Sequence, residues 1–179
     1  MADTMTVRAR RTIAAVSLAL AITCLLGIRS SAAVRPPKIP YQITTLPNGL
    51  TVVLSEDHST PIVHLQLTYH VGSKNERPGR TGFAHLFEHL MFKGSKNVQP
   101  ESHTSTIASI GGRSNAYTTE DETVFWETVP SQYLPMALWL EADRMATLRI
   151  DRQTFTNERD VVKEERRLRV DNQPFGSLN

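Results

Sequence analysis

The sequence predicts an α+β domain in which helices pack on one face of a mostly antiparallel sheet. Three observations predict it. Residues 41–45 and 50–56 alternate apolar and polar residues, the period of a half-buried strand, and 62–69, 113–118 and 122–129 read as further strands. Residues 81–92, 102–110, 134–148 and 151–171 switch to helical spacing. Turn-forming residues fall between these segments.

The elements follow in order. Tyr41–Thr45 and Leu50–Glu56 alternate around Pro47-Asn48-Gly49, a strand-turn-strand signature. Ile62–Tyr69 reads as a third strand, and residues 72–80 as a polar loop. From Thr81 to Phe92 the spacing is helical, with Thr81 expected as N-cap and Gly94 as the stop. Ser102–Ile110 reads as a short helix closed by Gly111-Gly112. Arg113–Thr118 and Glu122–Val129 are two further strands. Leu134–Leu148 is an apolar helix and Asp151–Asp171 a long charged one.

Length and composition set bounds. A chain of 179 residues can bury a sizeable single core. With 40% hydrophobic and 21% charged residues, disorder is not the default state. The formal net charge of +2 is misleading, because the basic excess lies at the start, where Arg8, Arg10, Arg11 and Arg29 face only Asp3. The near-neutral remainder gives no electrostatic case for nucleic acid.

Residues 1–33 read as a secretory signal. A basic start precedes the apolar run Ile13 to Ile28, and the small residues Ser30, Ser31, Ala32 and Ala33 suit cleavage after Ala32 or Ala33. An uncleaved anchor is the other reading, although the run is short for a membrane span. Residues 34–40 read as an extended linker, and 41–179 as the domain. The expected location is therefore the periplasm or the exterior. Cys24 is the only cysteine, so the mature chain can form no disulfide, and any transition-metal site must use histidine and carboxylate.

The chemistry concentrates in His85-Leu86-Phe87-Glu88-His89. Positions i and i+4 of a helix lie on one face a turn apart, so His85 and His89 can bind one ion through their rings. Glu88 sits on the flank of that face, within reach of a water on the metal without being a ligand. Zinc lowers the pKa of such a water to about 7, and Glu88 would take the proton. The order inverts the commoner His-Glu-x-x-His motif. The bland alternative is a solvated helix bearing three titratable residues by chance. Phe83, Ala84, Leu86, Phe87, Leu90, Met91 and Phe92 oppose it, because they make the helix apolar almost all round and predict its burial.

A hydrolytic zinc site needs a third protein ligand, and Glu158-Arg159-Asp160-Val161-Val162-Lys163-Glu164-Glu165 offers candidates. At about 100° per residue, Glu158 and Glu165 differ by only about 20° in facing and share a stripe with Val161 and Val162. Glu164 points well away. Periodicity alone leaves this open against a plain charged face with loosely placed valines.

The residues Thr81 through Ser95 resemble the motif of the pitrilysin/insulinase family of inverted-motif zinc metallopeptidases. Mitochondrial processing peptidase β and bacterial processing-type proteases are its smaller members. Glu158 to Glu165 is similar to that family's second motif, and Gly111 through Thr119 to a strand that pairs with substrate backbone. The resemblance implies one zinc held by His85, His89 and Glu165, with Glu88 as catalytic base and Glu158 as an auxiliary carboxylate. It also implies peptide contacts at Asn115, Ala116 and Tyr117, of the kind an exposed sheet edge makes with an extended chain. The implied activity is endopeptidase action on a peptide or protein substrate.

Family members are considerably longer, and a second related domain closes over the first. The expectation is therefore an N-terminal fragment whose site a missing half or a partner chain completes, in a homo- or heterodimer. A non-catalytic partner subunit and an inactive fragment remain as alternatives. His58, His64, His70 and His103 show no ligand spacing, and no second metal site is expected from them.

Overall fold

The computed structural model describes residues 38–173. The signal at 1–33 and most of the linker at 34–40 lie outside the described residues. The chain divides into two compact units, Met1–Glu56 and Asp57–Asn179. In the first, β1 (Gln42–Thr45) and β2 (Thr51–Leu54) form an antiparallel hairpin. Asn48 and Gly49 make its turn. The Asn48 side chain accepts from Leu50 N at 3.1 Å, and Gly49 takes the left-handed φ of 88°.

The second unit is built on a three-stranded antiparallel sheet. Its strands are β3 (Ile62–Tyr69), β4 (Arg113–Thr118) and β5 (Thr123–Pro130), in the order β3-β5-β4. The register places Leu67 and Ala116 on either side of Phe125, and Tyr69 and Thr118 on either side of Thr123. Alternation then sorts the side chains. Val63, Leu65, Leu67 and Tyr69 share the inner face with Ala116, Thr118, Phe125, Glu127 and Val129. Asn115, Tyr117 and His64 stand exposed on the other face.

Among the described residues four α-helices complete the unit: α1 (Phe83–Leu90), α2 (Ser102–Ser109), α3 (Leu134–Thr147) and α4 (Arg152–Arg166). Side chains of α1, α2 and α3 meet the inner face of the sheet, as α+β packing requires. Ile107, Val129, Ala137 and Leu140 form the buried centre, with Leu65 and Tyr133 packed against it. Truncating Ile107 to alanine would cost about 2–5 kcal/mol, the range for a fully buried large side chain.

Three expectations need correction. Helix α1 begins at Phe83 with Gly82 as N-cap at φ 89°, and Thr81 makes no cap. The carboxylate of Glu76 does the capping from outside, accepting from Gly82 N at 2.7 Å and Ala84 N at 2.8 Å. Nor is α1 buried all round: Leu86 and Leu90 are buried, but Phe83 and Phe87 remain 50% and 49% exposed. On α4, Val161 does not face inward and is 44% exposed. The inward stripe is Phe155, Glu158, Val162 and Glu165, spaced i, i+3, i+4 and i+3 again, as one helical face demands. Gly94 does stop the α1 segment, at φ 98°. Asp151 caps α4 by accepting from Thr154 N at 2.8 Å.

Candidate metal centre

Helices α1 and α4 bring together the residues singled out in the sequence. His85 and His89 lie one turn apart on α1, and their Nε2 atoms approach to 3.1 Å. Glu165 on α4 places Oε2 3.6 Å from His85 Nε2 and Oε1 3.8 Å from His89 Nε2. Donors about 2.0–2.1 Å from a tetrahedral zinc sit about 3.4 Å from one another. The observed separations lie near that value, with a different Glu165 oxygen facing each ring, and one donor from each residue falls within 4.8 Å of the others. Two neutral imidazoles and one carboxylate are also the chemistry of a hydrolytic zinc site, so these residues fit the ion.

The surroundings organise these donors. His89 turns its other nitrogen, Nδ1, to Glu158 Oε2 at 3.4 Å. Glu158 is buried and meets Lys93 Nζ with its remaining oxygen at 3.1 Å. Burial opposes the Lys93 charge. Hydrogen bonds and attraction from Glu101 and Glu158 outweigh it and hold the ammonium above the usual lysine range. Arg169, in the π-helix Arg167–Asp171 that follows α4, stands 3.7 Å from Glu165 Oε2.

Glu88 leaves α1 on a different heading. Its Oε2 accepts from Thr118 Oγ1 on β4 at 2.5 Å. His85 and Glu88 open on one cleft of about 340 Å³, whose walls include Ala116, Tyr117, Thr118 and Arg169. Among the described residues, no strand pairs with the outer edge of β4. Asn115 and Tyr117 project from one face of that strand and Ala116 from the other. Asn115 Oδ1 also accepts from Ala116 N at 2.9 Å. Lys93, Thr118, Glu76 and Arg169 escaped the sequence reading. For Thr118 a signal existed, since it shares strand parity with Ala116.

A second cluster was not expected. His103 on α2, Glu127 on β5 and Glu141 on α3 are all buried, with donor atoms within 4.8 Å of one another. His103 Nε2 lies 3.0 Å from Glu127 Oε1, without the alignment of a hydrogen bond. Arg144 grips both oxygens of Glu141 and stacks over Phe125, 4.5 Å from the ring centroid. Arg144 thus satisfies Glu141, while both ring nitrogens of His103 and both oxygens of Glu127 have no aligned hydrogen-bond partner among the described residues. Burial pushes His103 down to about 4 and pushes Glu127 and Glu141 up.

The His-x-x-Glu-His helix is thus set against a glutamate-bearing helix on one face of an antiparallel sheet, in an α+β arrangement. The family model described as Insulinase (Peptidase family M16) matches residues 51–175, and the chain belongs to that family. It is 39% identical over 139 residues to the zinc protease PqqE of Helicobacter pylori, a match that covers 77% of this chain and 31% of the relative. It superposes on the crystal structure of a protease from Helicobacter pylori with a TM-score of 0.75 at 38% identity, covering 78% of this chain and 34% of the other. For pitrilysin the TM-score is 0.67 at 30% identity, covering 74% and 14%. The chain thus spans about a third of the length of PqqE.

Proposed function

We propose that this chain carries the catalytic centre of a zinc-dependent endopeptidase. His85, His89 and Glu165 hold one zinc ion. Bound zinc supplies Lewis-acid charge, which makes a water acidic near neutral pH and polarises the scissile carbonyl. Glu88 takes the proton of the attacking water. As the carbon–nitrogen bond breaks, it passes that proton to the leaving amine. With its carboxylate 3.4 Å from His89 Nδ1, Glu158 draws the ring proton to that nitrogen and leaves Nε2 to bind the ion. The substrate is an extended peptide laid along the free edge of β4, beside Asn115, Ala116 and Tyr117. A C-terminal half or a partner chain covers it. Export to the periplasm or exterior, directed by residues 1–33, is part of the same reading. N-terminal sequencing of the mature protein tests it and should start at Ala33 or Val34.

The single observation behind the reading is that α1 and α4 bring donor atoms of His85, His89 and Glu165 within 4.8 Å of one another. The test is Glu88→Gln, with zinc content and peptide hydrolysis measured together. The variant should bind one zinc per chain and lose hydrolysis. Hydrolysis at the wild-type rate would remove Glu88 from its role. A second reading is a chain that binds zinc at the same three residues without turnover, as a non-catalytic partner subunit. It predicts bound zinc and no turnover in the wild type as well.

A further inference from the structure

Among the described residues, Thr118 is the hydrogen-bond partner of the Glu88 carboxylate, donating Oγ1–H to Oε2 across 2.5 Å. Thr118 closes β4, directly opposite Thr123 of β5. The Thr123 hydroxyl lies 3.5 Å from Thr118 Oγ1 but donates to the carbonyl of Val71 at 3.0 Å. A threonine hydroxyl has one proton to give. That of Thr123 is committed to the backbone, so that of Thr118 goes to Glu88.

The anchor is stiff. Threonine is branched at Cβ and restricted at χ1. The backbone just beyond it is clamped, with Ser73 N donating to Thr119 O at 3.0 Å and Lys74 N to Glu120 O at 3.0 Å. Gly72 permits this approach, since a Cβ there would fall 2.4 Å from Thr119 O.

We propose that Thr118 is a positioning residue for Glu88: its hydroxyl pins Oε2 and leaves the other oxygen to exchange a proton with water. The inference rests on the reading of Glu88 as the base and adds what aims it. The same hydroxyl ties the base to the strand that carries Ala116 and Tyr117, so the carboxylate and the proposed peptide edge keep one register.

The test uses the whole chain with glutamate labelled by ¹³C at the carboxyl carbon. The Glu88 signal is assigned by its disappearance in Glu88→Gln. It should move in Thr118→Val, which keeps shape and loses the proton, and return toward its wild-type position in Thr118→Ser. An unmoved signal in the valine variant, or no return in the serine variant, overturns the proposal. This readout does not depend on turnover. In peptide hydrolysis, Thr118→Val should lower kcat roughly ten- to a hundredfold, the scale of a small misplacement of a catalytic group. KM and zinc content should stay near wild type, and serine should recover most of the rate. A raised KM at unchanged kcat would place the hydroxyl on the substrate and overturn the proposal. If Glu88→Gln still hydrolyses peptide, the base reading fails, whatever the carboxyl signal shows. If Glu88→Gln is inactive while Thr118→Val is fully active, the positioning role alone fails.

Discussion

His89 presents Nδ1 to Glu158 at 3.4 Å while its Nε2 faces His85 and Glu165, so one ring joins a buried carboxylate to the donor cluster. The carboxylate is in turn tied to Lys93 Nζ at 3.1 Å. A carboxylate beside one ring nitrogen favours the proton there and leaves a more basic lone pair on the other nitrogen.

Glu158→Gln tests that link, since it keeps the side chain's size and one acceptor while removing its charge. Zinc affinity, measured by competition with a chromogenic chelator, should fall about 10- to 100-fold. Lys93→Met should give a smaller loss, because it leaves Glu158 in place but unanchored. Equal affinity in Glu158→Gln and wild type would reduce Glu158 to a packing residue.

His103 makes a separate prediction about stability and pH. Burial, then the nearby Arg144, lowers it from 6.5 to about 4, with Glu141 opposing. The folded state therefore keeps His103 neutral between pH 4 and 6.5, while the unfolded chain protonates it. Stability should rise with pH across that window and level off above it. At one pKa unit per 1.36 kcal/mol, the full effect is about 3 kcal/mol. Glu127 and Glu141, raised by burial, contribute with the opposite sign, losing stability as pH climbs through their folded values. Urea midpoints at pH 4.5 and 7 should differ less in His103→Gln than in wild type. An unchanged difference would take His103 out of the acid response.

What the sequence disclosed, and what it withheld, follows from the range of each signal. Strand β4 was predicted at its observed bounds, because Gly111-Gly112 before it and the polar run from Thr119 to Asp121 after it are local boundary signals. The i, i+4 histidines and the glutamates of α4 were legible for the same reason. Val161 was misjudged because a helical wheel gives angular spacing but not the direction of the core. That direction shows only in the structure, where the buried Glu158 lies between half-buried Phe155 and Val162. The exposure of Phe83 and Phe87 was hidden in the same way: composition says that a face is apolar, not that something covers it. His103 and its partners lie on α2, β5 and α3, and no periodicity links them. Only the register of β5 against the helices brings them together.

Glu76 carries the last prediction. Its carboxylate takes the N–H groups of Gly82 and Ala84, two of the orphan donors that open any helix. It also places negative charge at the positive end of α1. No residue inside the helix can substitute, because Gly82 has no side chain to cap with. Glu76→Ala should cost about 1–2 kcal/mol in chemical denaturation, the range for loss of a good cap. The first turn of α1 carries His85, so zinc affinity should fall with it. Glu76→Gln retains an acceptor and should recover part of the stability but not the charge contribution. If Glu76→Ala were as stable as wild type while zinc binding collapsed, the carboxylate would be acting on the metal centre directly rather than through the helix.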